Sequence, residues 1–424
     1  MEIDSGNTAW VLTAAAFVLL MTPALGFFYG GLVRSKNVLN TLMMSFAALG
    51  VVGLAWALAG YSFAFAPGNA LVGGADHLFL RGVGLETGRW GAFPHLQYMA
   101  FQGAFAIIAT ALVSGAIVER MRFGPYLAFL ALWSLVVYAP VAHWVWGSGW
   151  IAQLGALDFA GGTVVHITAG LGAVVSATVV GQRSDYGRQA FLPHDVTYVL
   201  LGAGLLWFGW FGFNAGSALA ANGTAVLAFV NTMLAPAATL VVWLILDLQR
   251  TRKATAVGAA TAIVVGLVAI TPAAGYVPPL GAIALGALAA IPSYVALQLR
   301  SRTALDDSLD VFAAHGVGGI VGALLTGVLA MQLWGAPVDG LVAGNPKLVG
   351  IQAIAIGAAG SYSAFMTFVI LRVIGLVLPL RRPGNYERLG LDVVQHGEEA
   401  YSHGEGALLL MQERRSEPRG GHSP

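Results

Sequence analysis

The chain has no cysteine among its 424 residues and only three lysines, Lys36, Lys253 and Lys347. The missing cysteines exclude disulfides, thiolate metal sites and cysteine nucleophiles together. None of the lysines lies in a long apolar run, which excludes a buried Schiff-base lysine and with it a retinal-type pump. Charge is scarce as well: 10% of residues are charged and 57% hydrophobic, against about 25% charged in an ordinary soluble domain. The net charge of +1 gives no bulk argument for nucleic acid or an acidic partner. Neither His-Glu-x-x-His nor Gly-x-Ser-x-Gly occurs, so an intramembrane enzyme is a poor reading. No metal or cofactor is expected. The N-terminus lacks the basic start of a secretory signal, since Glu2 and Asp4 precede the first apolar run. That run therefore reads as a retained helix with its N-terminus outside.

What the chain has in abundance is apolar length, with a mean hydropathy of +0.76. Apolar segments fall near 8–33, 41–65, 96–118, 124–145, 162–181, 195–218, 224–247, 256–275, 279–299, 311–333 and 349–378. They predict an all-α polytopic membrane protein of eleven transmembrane helices. Alternate loops carry Arg34, Lys36, Arg120, Arg122, Arg183, Arg188, Arg250, Arg252, Lys253, Arg300 and Arg302. The C-terminal end adds Arg372, Arg381, Arg382, Arg388, Arg414, Arg415 and Arg419, while the opposite loops hold only Arg81, Arg89 and Lys347. This split of 18 against 3, out of 21 basic residues, predicts an N-out, C-in orientation and favours an odd number of spans. Gly26-Phe-Phe-Tyr-Gly-Gly31 resembles Gly212-Phe-Asn-Ala-Gly-Ser217, five helices later. An odd repeat must be inverted, so an inverted five-plus-five repeat (about 8–181 and 195–333) plus an eleventh helix (about 349–378) is expected. The transmembrane domain then spans 1–380 and a polar cytoplasmic tail 381–424.

Two histidines stand inside these apolar runs, in Asp158-Phe-Ala-Gly-Gly-Thr-Val-Val-His166 and Asp310-Val-Phe-Ala-Ala-His315-Gly, each with a glycine four residues on. A lone intramembrane histidine is explained by one satisfied hydrogen bond; a matched pair points to one site built from two halves. Two facing neutral rings share a proton, and desolvation disfavours the imidazolium form, so such a pair passes a neutral molecule or relays a proton while opposing a bare alkali cation. Both histidines lie only about one turn from the starts of oppositely directed helices, so a joint site requires both starts to dip toward the midplane, as Gly161-Gly162 permits. Asp158 and Asp310 precede those helices and read as caps or electrostatic support, with ion binding as the alternative. On the outer side gather Phe105, Trp144, Trp146, Trp150, Trp207, Trp210, Phe211 and Phe213, with Asn214 and Ser217. An interfacial aromatic belt explains any one of these. Together they also suit a vestibule where ring faces and a hydroxyl replace water around a small cation.

These motifs, together with Gly26-Phe-Phe-Tyr-Gly-Gly-Leu-Val-Arg-Ser-Lys-Asn-Val-Leu39 and Asp306-Asp-Ser-Leu-Asp-Val-Phe-Ala-Ala-His-Gly316, resemble the ammonium transporter family (Amt/Mep/Rh), in its prokaryotic Amt branch. The resemblance covers nearly the whole chain. It implies a homotrimer in the cytoplasmic membrane with one pore per subunit, and His166 and His315 as twin pore histidines. It implies that Phe105, Trp146 and Ser217 form an outer ammonium recruitment site, that Phe105 and Phe213 gate the lumen, and that Asp158 is structural support. Ammonium is close to potassium in size, so width alone does not separate them; a cation site above an apolar constriction does, because ammonium sheds a proton and crosses as ammonia. Glu387-Arg-Leu-Gly-Leu-Asp-Val-Val-Gln-His-Gly-Glu-Glu-Ala-Tyr401 resembles the family's C-terminal motif and implies packing beneath the pore, regulation by a PII signalling protein and a regulatory place for His396. The stretch from Ser402 to Pro424 reads as a solvated tail. The competing readings are a neutral ammonia gas channel of Rhesus type, which the tail and the Trp146/Ser217 pair oppose, and an ammonium sensor, for which about 40 tail residues hold no signalling domain.

Overall fold

The computed structural model describes residues 2–381 and 384–401; Arg382 and the expected solvated stretch from Ser402 lie outside them. Among the described residues there is no β-strand. Apolar helices follow one another as α1 (Ser5–Leu32), α2 (Ser35–Phe65), α3 (His95–Ala116), α4 (Phe123–Leu154), α5 (Gly162–Val180), α6 (Val196–Gly216), α7 (Gly223–Thr251), α8 (Ala256–Ile270), α9 (Pro279–Arg300), α10 (Phe312–Leu329) and α11 (Lys347–Val377). All but α8 are long and apolar enough to cross a membrane, which makes ten. The exception corrects the expected 256–275 segment: α8 has 15 residues, about 22 Å against a hydrocarbon core of about 30 Å. It stops because Thr271-Pro272 follows, and proline offers no N–H to continue the ladder.

Polar side chains fix where helices begin. The carboxylate of Asp4 accepts from the Asn7 N–H, Asp195 from Thr197 and Tyr198, Asn222 from Ala225, and the Thr255 hydroxyl from Gly258. Four helices contain a widened, π-helical turn: α2 at Trp56–Gly60, α4 at Ser134–Tyr138, and the first turns of α5 at Gly162–Ile167 and α10 at Phe312–Val317. Such turns rotate side chains out of the regular register. Both histidines of the sequence pair sit in one.

Interior packing is close because the facing residues are small. Helix α1 runs along α6, and the two helix starts that carry the histidines cross at Gly170 of α5 and Gly316 of α10. A Cβ on Gly170 would stand 2.3 Å from the Gly316 Cα, so any side chain there forces the helices apart.

At the end of the bundle where the basic loops collect, charge is buried but paired. Glu119 accepts from Arg34 Nε (2.8 Å), Arg183 Nη1 (2.5 Å) and Asn37 Nδ2 (2.7 Å), and Arg183 also holds Asp306 at 2.7 Å. Burial works against ionising Glu119, yet the Arg183 and Arg34 guanidiniums outweigh it and hold the carboxyl below its ordinary range. Residues 384–401 pack onto this base. Glu387 accepts from the Ser184 N–H and hydroxyl, Asp392 caps the chain at Leu39 and Asn40, Gln395 accepts from the Phe123 N–H, and Lys36 donates to the Arg388 carbonyl. His396 bonds Asn40 at 2.9 Å.

Gly170→Val should destabilise the protein by about 1–3 kcal/mol through overpacking, read as a lower unfolding temperature in detergent. Gly350→Ala, where a Cβ meets nothing within 4 Å, should leave it unchanged or slightly raised.

Candidate permeation pathway

The pathway is built around two helix starts. The Asp158 carboxylate accepts four successive backbone N–H groups: Gly161 (2.9 Å) and Gly162 (2.6 Å) on Oδ1, Thr163 (2.8 Å) and Val164 (3.0 Å) on Oδ2. These are the donors that a helix start leaves without partners, and they fix the first turn of α5. Gly161 reaches them at φ +123°, a conformation that favours glycine. The corresponding residue at α10 stands three positions before Asp310, the residue that the sequence pattern suggests. Asp307, which precedes His315 by eight residues as Asp158 precedes His166, accepts from the Phe312 N–H at 2.8 Å. Asp310 adopts φ +58° and turns to Arg300, with Nε–Oδ1 2.6 Å. Burial and the neighbouring Asp310 push the Asp307 carboxyl up to about 6.

The two capped starts bring His166 and His315 together with Nδ1 atoms 3.2 Å apart and rings nearly parallel, 28° between planes. Both are almost fully buried, 1% and 4% exposed. One Nδ1 donates and the other accepts, so each ring keeps its Nε2 for something else. The His166 Nε2 is buried with no partner. The difficulty of two histidines near opposite helix starts is thus met by the crossing at Gly170 and Gly316: Gly319, the other matched glycine, lies against the His166 Cβ.

Three spaces line up through the pair. On the side away from the basic loops, the expected outer side, a cavity of about 260 Å³ is walled by Phe105, Trp146 and Ser217, together with Trp90, Tyr98, Phe101, Gln102 and Phe159. The Trp146 indole N–H donates to the Asp158 carbonyl (2.9 Å), so the residue that caps α5 with its side chain also orients this ring through its main chain. Ser217 donates to the Phe213 carbonyl at 2.8 Å, which leaves its oxygen lone pairs for a donor in the cavity. Below, Phe105 and Phe213 close on each other with centroids 4.2 Å apart. Beneath them is a lumen of about 10 Å³, lined by Met21, Leu25, Ile108, Leu112, Leu206, Trp210, Phe213, Phe28 and Val264 around the two histidines. That is about the space of one water molecule. His166 lies nearly parallel to Trp210 (5.4 Å) and Phe213 (5.8 Å). His315 also faces an inner cavity of about 370 Å³, bordered by Tyr29, Arg183, Ser308, Arg300 and Asp310.

Not every aromatic suggested by the sequence joins this path. Trp144 and Trp150 pack on each other, and Trp144 donates to the Leu71 carbonyl. Trp207 donates to the Thr232 carbonyl, and Phe211 stacks on Phe229. Asn214 donates to Thr232 rather than facing the outer cavity. Trp90, Tyr98, Phe101, Gln102 and Phe159 are absent from the sequence expectation. The signal for three of them is the i, i+3, i+4, i+7 spacing of Tyr98, Phe101, Gln102 and Phe105, which places them on one face of α3.

A polytopic helical bundle with a narrow interior path, closed by two rings and containing two paired imidazoles, belongs to the class of membrane transport proteins and channels. The chain is a member of the Ammonium Transporter Family, whose sequence pattern matches residues 9–401. It is 47% identical over 402 residues to "Ammonium transporter" of Bacillus subtilis (strain 168), covering 94% of this chain and 99% of that protein. Among solved structures it resembles Saccharomyces cerevisiae Mep2, with a TM-score of 0.87, 37% identity and coverage of 95% of this chain and 93% of that one. It also resembles the structure named "Sensor Amt Protein", with a TM-score of 0.86, 31% identity and coverage of 92% and 98%. Membership places it among multi-span membrane transporters, not enzymes.

Asp158→Ala leaves four buried N–H donors without an acceptor, each at a cost of about 1–3 kcal/mol. It should lower the unfolding temperature in detergent by several degrees, whereas Asp310→Ala, which removes only a contact to Arg300, should shift it much less.

Proposed function

We propose that this chain carries ammonium across a membrane as ammonia plus a proton, along the outer cavity, the narrow lumen and the inner cavity. The observation that carries the reading is the buried Nδ1–Nδ1 contact of His166 and His315 inside an otherwise apolar lumen. Phe105, Trp146 and Ser217 recruit the cation from outside, replacing its water with ring faces and one oxygen. Phe105 and Phe213 must part for passage, and the space beneath them suits ammonia but not a hydrated potassium ion. Once those phenyl rings part, ammonium gives its proton to the histidine pair and crosses as a neutral molecule. The His166 Nε2 takes the proton, the Nδ1–H of His166 passes to the His315 Nδ1, and the His315 Nε2–H is released into the inner cavity. The rings are left in exchanged tautomers, His166 with Nε2–H and His315 with Nδ1–H, and each resets when water in the lumen carries its proton from one ring nitrogen to the other. Asp158 and Asp310 serve as support, the first by capping α5, the second by pairing with Arg300.

The same reading includes eleven spans, the eighth made of α8 and the turns at 271–276 that extend it, with an inverted repeat, N-out/C-in orientation and a transmembrane domain of 1–380 followed by a cytoplasmic regulatory tail of 381–424. The basic-residue split supports the orientation, and the equal Asp-to-His spacing at α5 and α10 supports the repeat. The contacts of Glu387, Asp392, Gln395 and His396 beneath the bundle support a tail that senses or biases the inner loops, the place for a PII partner. The family likeness supports a reading of three copies per assembly in a prokaryotic cytoplasmic membrane. The sensor reading draws on the likeness to the protein named Sensor Amt Protein.

The test is current across protein-loaded liposomes after an ammonium pulse, with potassium as control. Ammonium should give a current and potassium almost none, and His166→Leu with His315→Leu should abolish the current or its selectivity. Ammonia flux without current would replace the reading with a neutral gas channel, and silence in both assays would favour the sensor. The absence of cysteine makes orientation testable on intact cells: a membrane-impermeant maleimide should label Glu2→Cys and spare Glu399→Cys.

A further inference from the structure

Among the described residues no charged side chain lines the outer cavity, yet charge reaches two of its rings from behind. Trp146 is bonded to the main chain of Asp158, whose carboxylate caps α5. Trp90 is covered by Arg89, with the guanidinium Cζ 4.3 Å from the ring centroid. The same guanidinium donates through Nη2 to the Phe65 carbonyl at 2.9 Å, so it is held on the ring at two points. Trp90 in turn lies flat on Tyr98, centroids 4.7 Å apart and 12° between planes, which fixes the ring in the cavity wall. Arg89 itself is exposed, and among the described residues it has no carboxylate partner. It is one of only three basic residues, with Arg81 and Lys347, in the loops opposite the basic end. Arg81 turns instead to the Leu78 and Ala75 carbonyls. A cation thus already occupies the π surface of Trp90, and its unpaired charge stands one ring away from a space read as a cation site.

We infer that Arg89 sets the affinity and charge selectivity of outer recruitment: its positive field, delivered through the stacked Trp90, weakens the binding of every cation and selects monovalent over divalent ones. This rests on the outer-recruitment reading of Phe105, Trp146 and Ser217. Coulomb repulsion scales with the charge of the ligand, so a divalent cation is opposed twice as strongly as ammonium. Trp90 is then a spacer that carries Arg89, not a ring that binds the cation. With Arg89 on the Trp90 side and Asp158 on the Trp146 side, a monovalent cation is driven toward Trp146 and Ser217. A conducting site must bind well enough to fill and loosely enough to empty, and the field of Arg89 keeps it on the loose side.

The experiment is concentration-dependent ammonium current in liposomes, at low and at high sodium chloride, for the wild type, Arg89→Gln, Arg89→Lys and Trp146→Leu. Unit charges about 8–10 Å apart near a protein surface change a binding constant about two- to fivefold, so at low salt Arg89→Gln should lower the half-saturating ammonium concentration by about that factor. Magnesium should block the current of Arg89→Gln at lower concentrations than that of the wild type, by about the square of the same factor. High salt should erase both differences through screening. Arg89→Lys, which keeps the charge and loses the planar stack, should stay close to the wild type. Equal half-saturation in Arg89→Gln and the wild type, beside a raised one in Trp146→Leu, would overturn the inference and leave the recruitment reading standing. No change in either Arg89→Gln or Trp146→Leu would overturn the recruitment reading and the inference with it. Equal shifts in Arg89→Gln and Arg89→Lys that persist at high salt would make Arg89 a packing residue for Trp90 and likewise overturn the inference.

Discussion

The contact on which the rest of the pathway depends is the 3.2 Å approach of two imidazole nitrogens between α5 and α10. Two histidines at opposite helix starts meet only if both starts are drawn to one level and the helices touch. Each requirement has its own residue. The Asp158 carboxylate satisfies four successive backbone donors in the first turn of α5, and the Asp307 carboxylate accepts the Phe312 N–H at the start of α10. The π-helical turns swing the rings inward, and Gly170 against Gly316 removes the side chains that would separate the axes. The geometry of the pair is therefore a property of the helix termini as much as of the rings.

Around that contact the protein sorts polarity by depth. The lumen beside the rings is walled by Leu, Met, Ile, Val, Phe and Trp side chains. The polar atoms that border the outer cavity are mostly spent on the fold: the Trp146 N–H on a carbonyl, the Ser217 hydroxyl proton on another. The buried ionic cluster of Glu119, Arg34, Arg183 and Asp306 lies at the loop end, where it ties the chain after α1, α3, α5 and α9 into one plate and receives residues 384–401. Taking one partner from such a cluster strands a buried charge, so the plate holds the inner mouth in a single arrangement. In the reading proposed for this chain, a charged species meets favourable partners at each mouth and none in the middle, where only a neutral molecule and a relayed proton pass.

Much of this is legible in the residues. Hydropathy locates every apolar helix and most of their ends to within a few residues, α2, α4 and α8 being the exceptions, because an apolar run of bilayer length suits a membrane-buried helix and little else. The histidine pair stands out since an imidazole among aliphatic residues is costly. Three features are not legible in the same way. Asp310, five residues before its histidine, resembles a partner to Asp158, yet Asp307 keeps the spacing of eight and caps the helix. Two carboxylates so close in the chain give no sign of which turns to the helix and which to Arg300. Helix α8 is shorter than its apolar stretch, because hydropathy runs on through Thr271-Pro272 where the backbone ladder stops. Among the aromatics, composition does not separate Trp146 and Trp210, which line the path, from Trp144 and Trp207, which donate to carbonyls in helix packing. Those distinctions depend on which face turns inward, and that is set by neighbours distant in the chain.

His166 and His315 act as one proton-sharing unit, a state that ¹⁵N solid-state NMR of histidine-labelled protein in bilayers reads without a transport assay. One ring should be protonated at Nδ1 and the other bare at Nδ1, with a coupling transmitted through the Nδ1–H···Nδ1 bond. Two rings both protonated at Nε2, with no coupling between them, would contradict it.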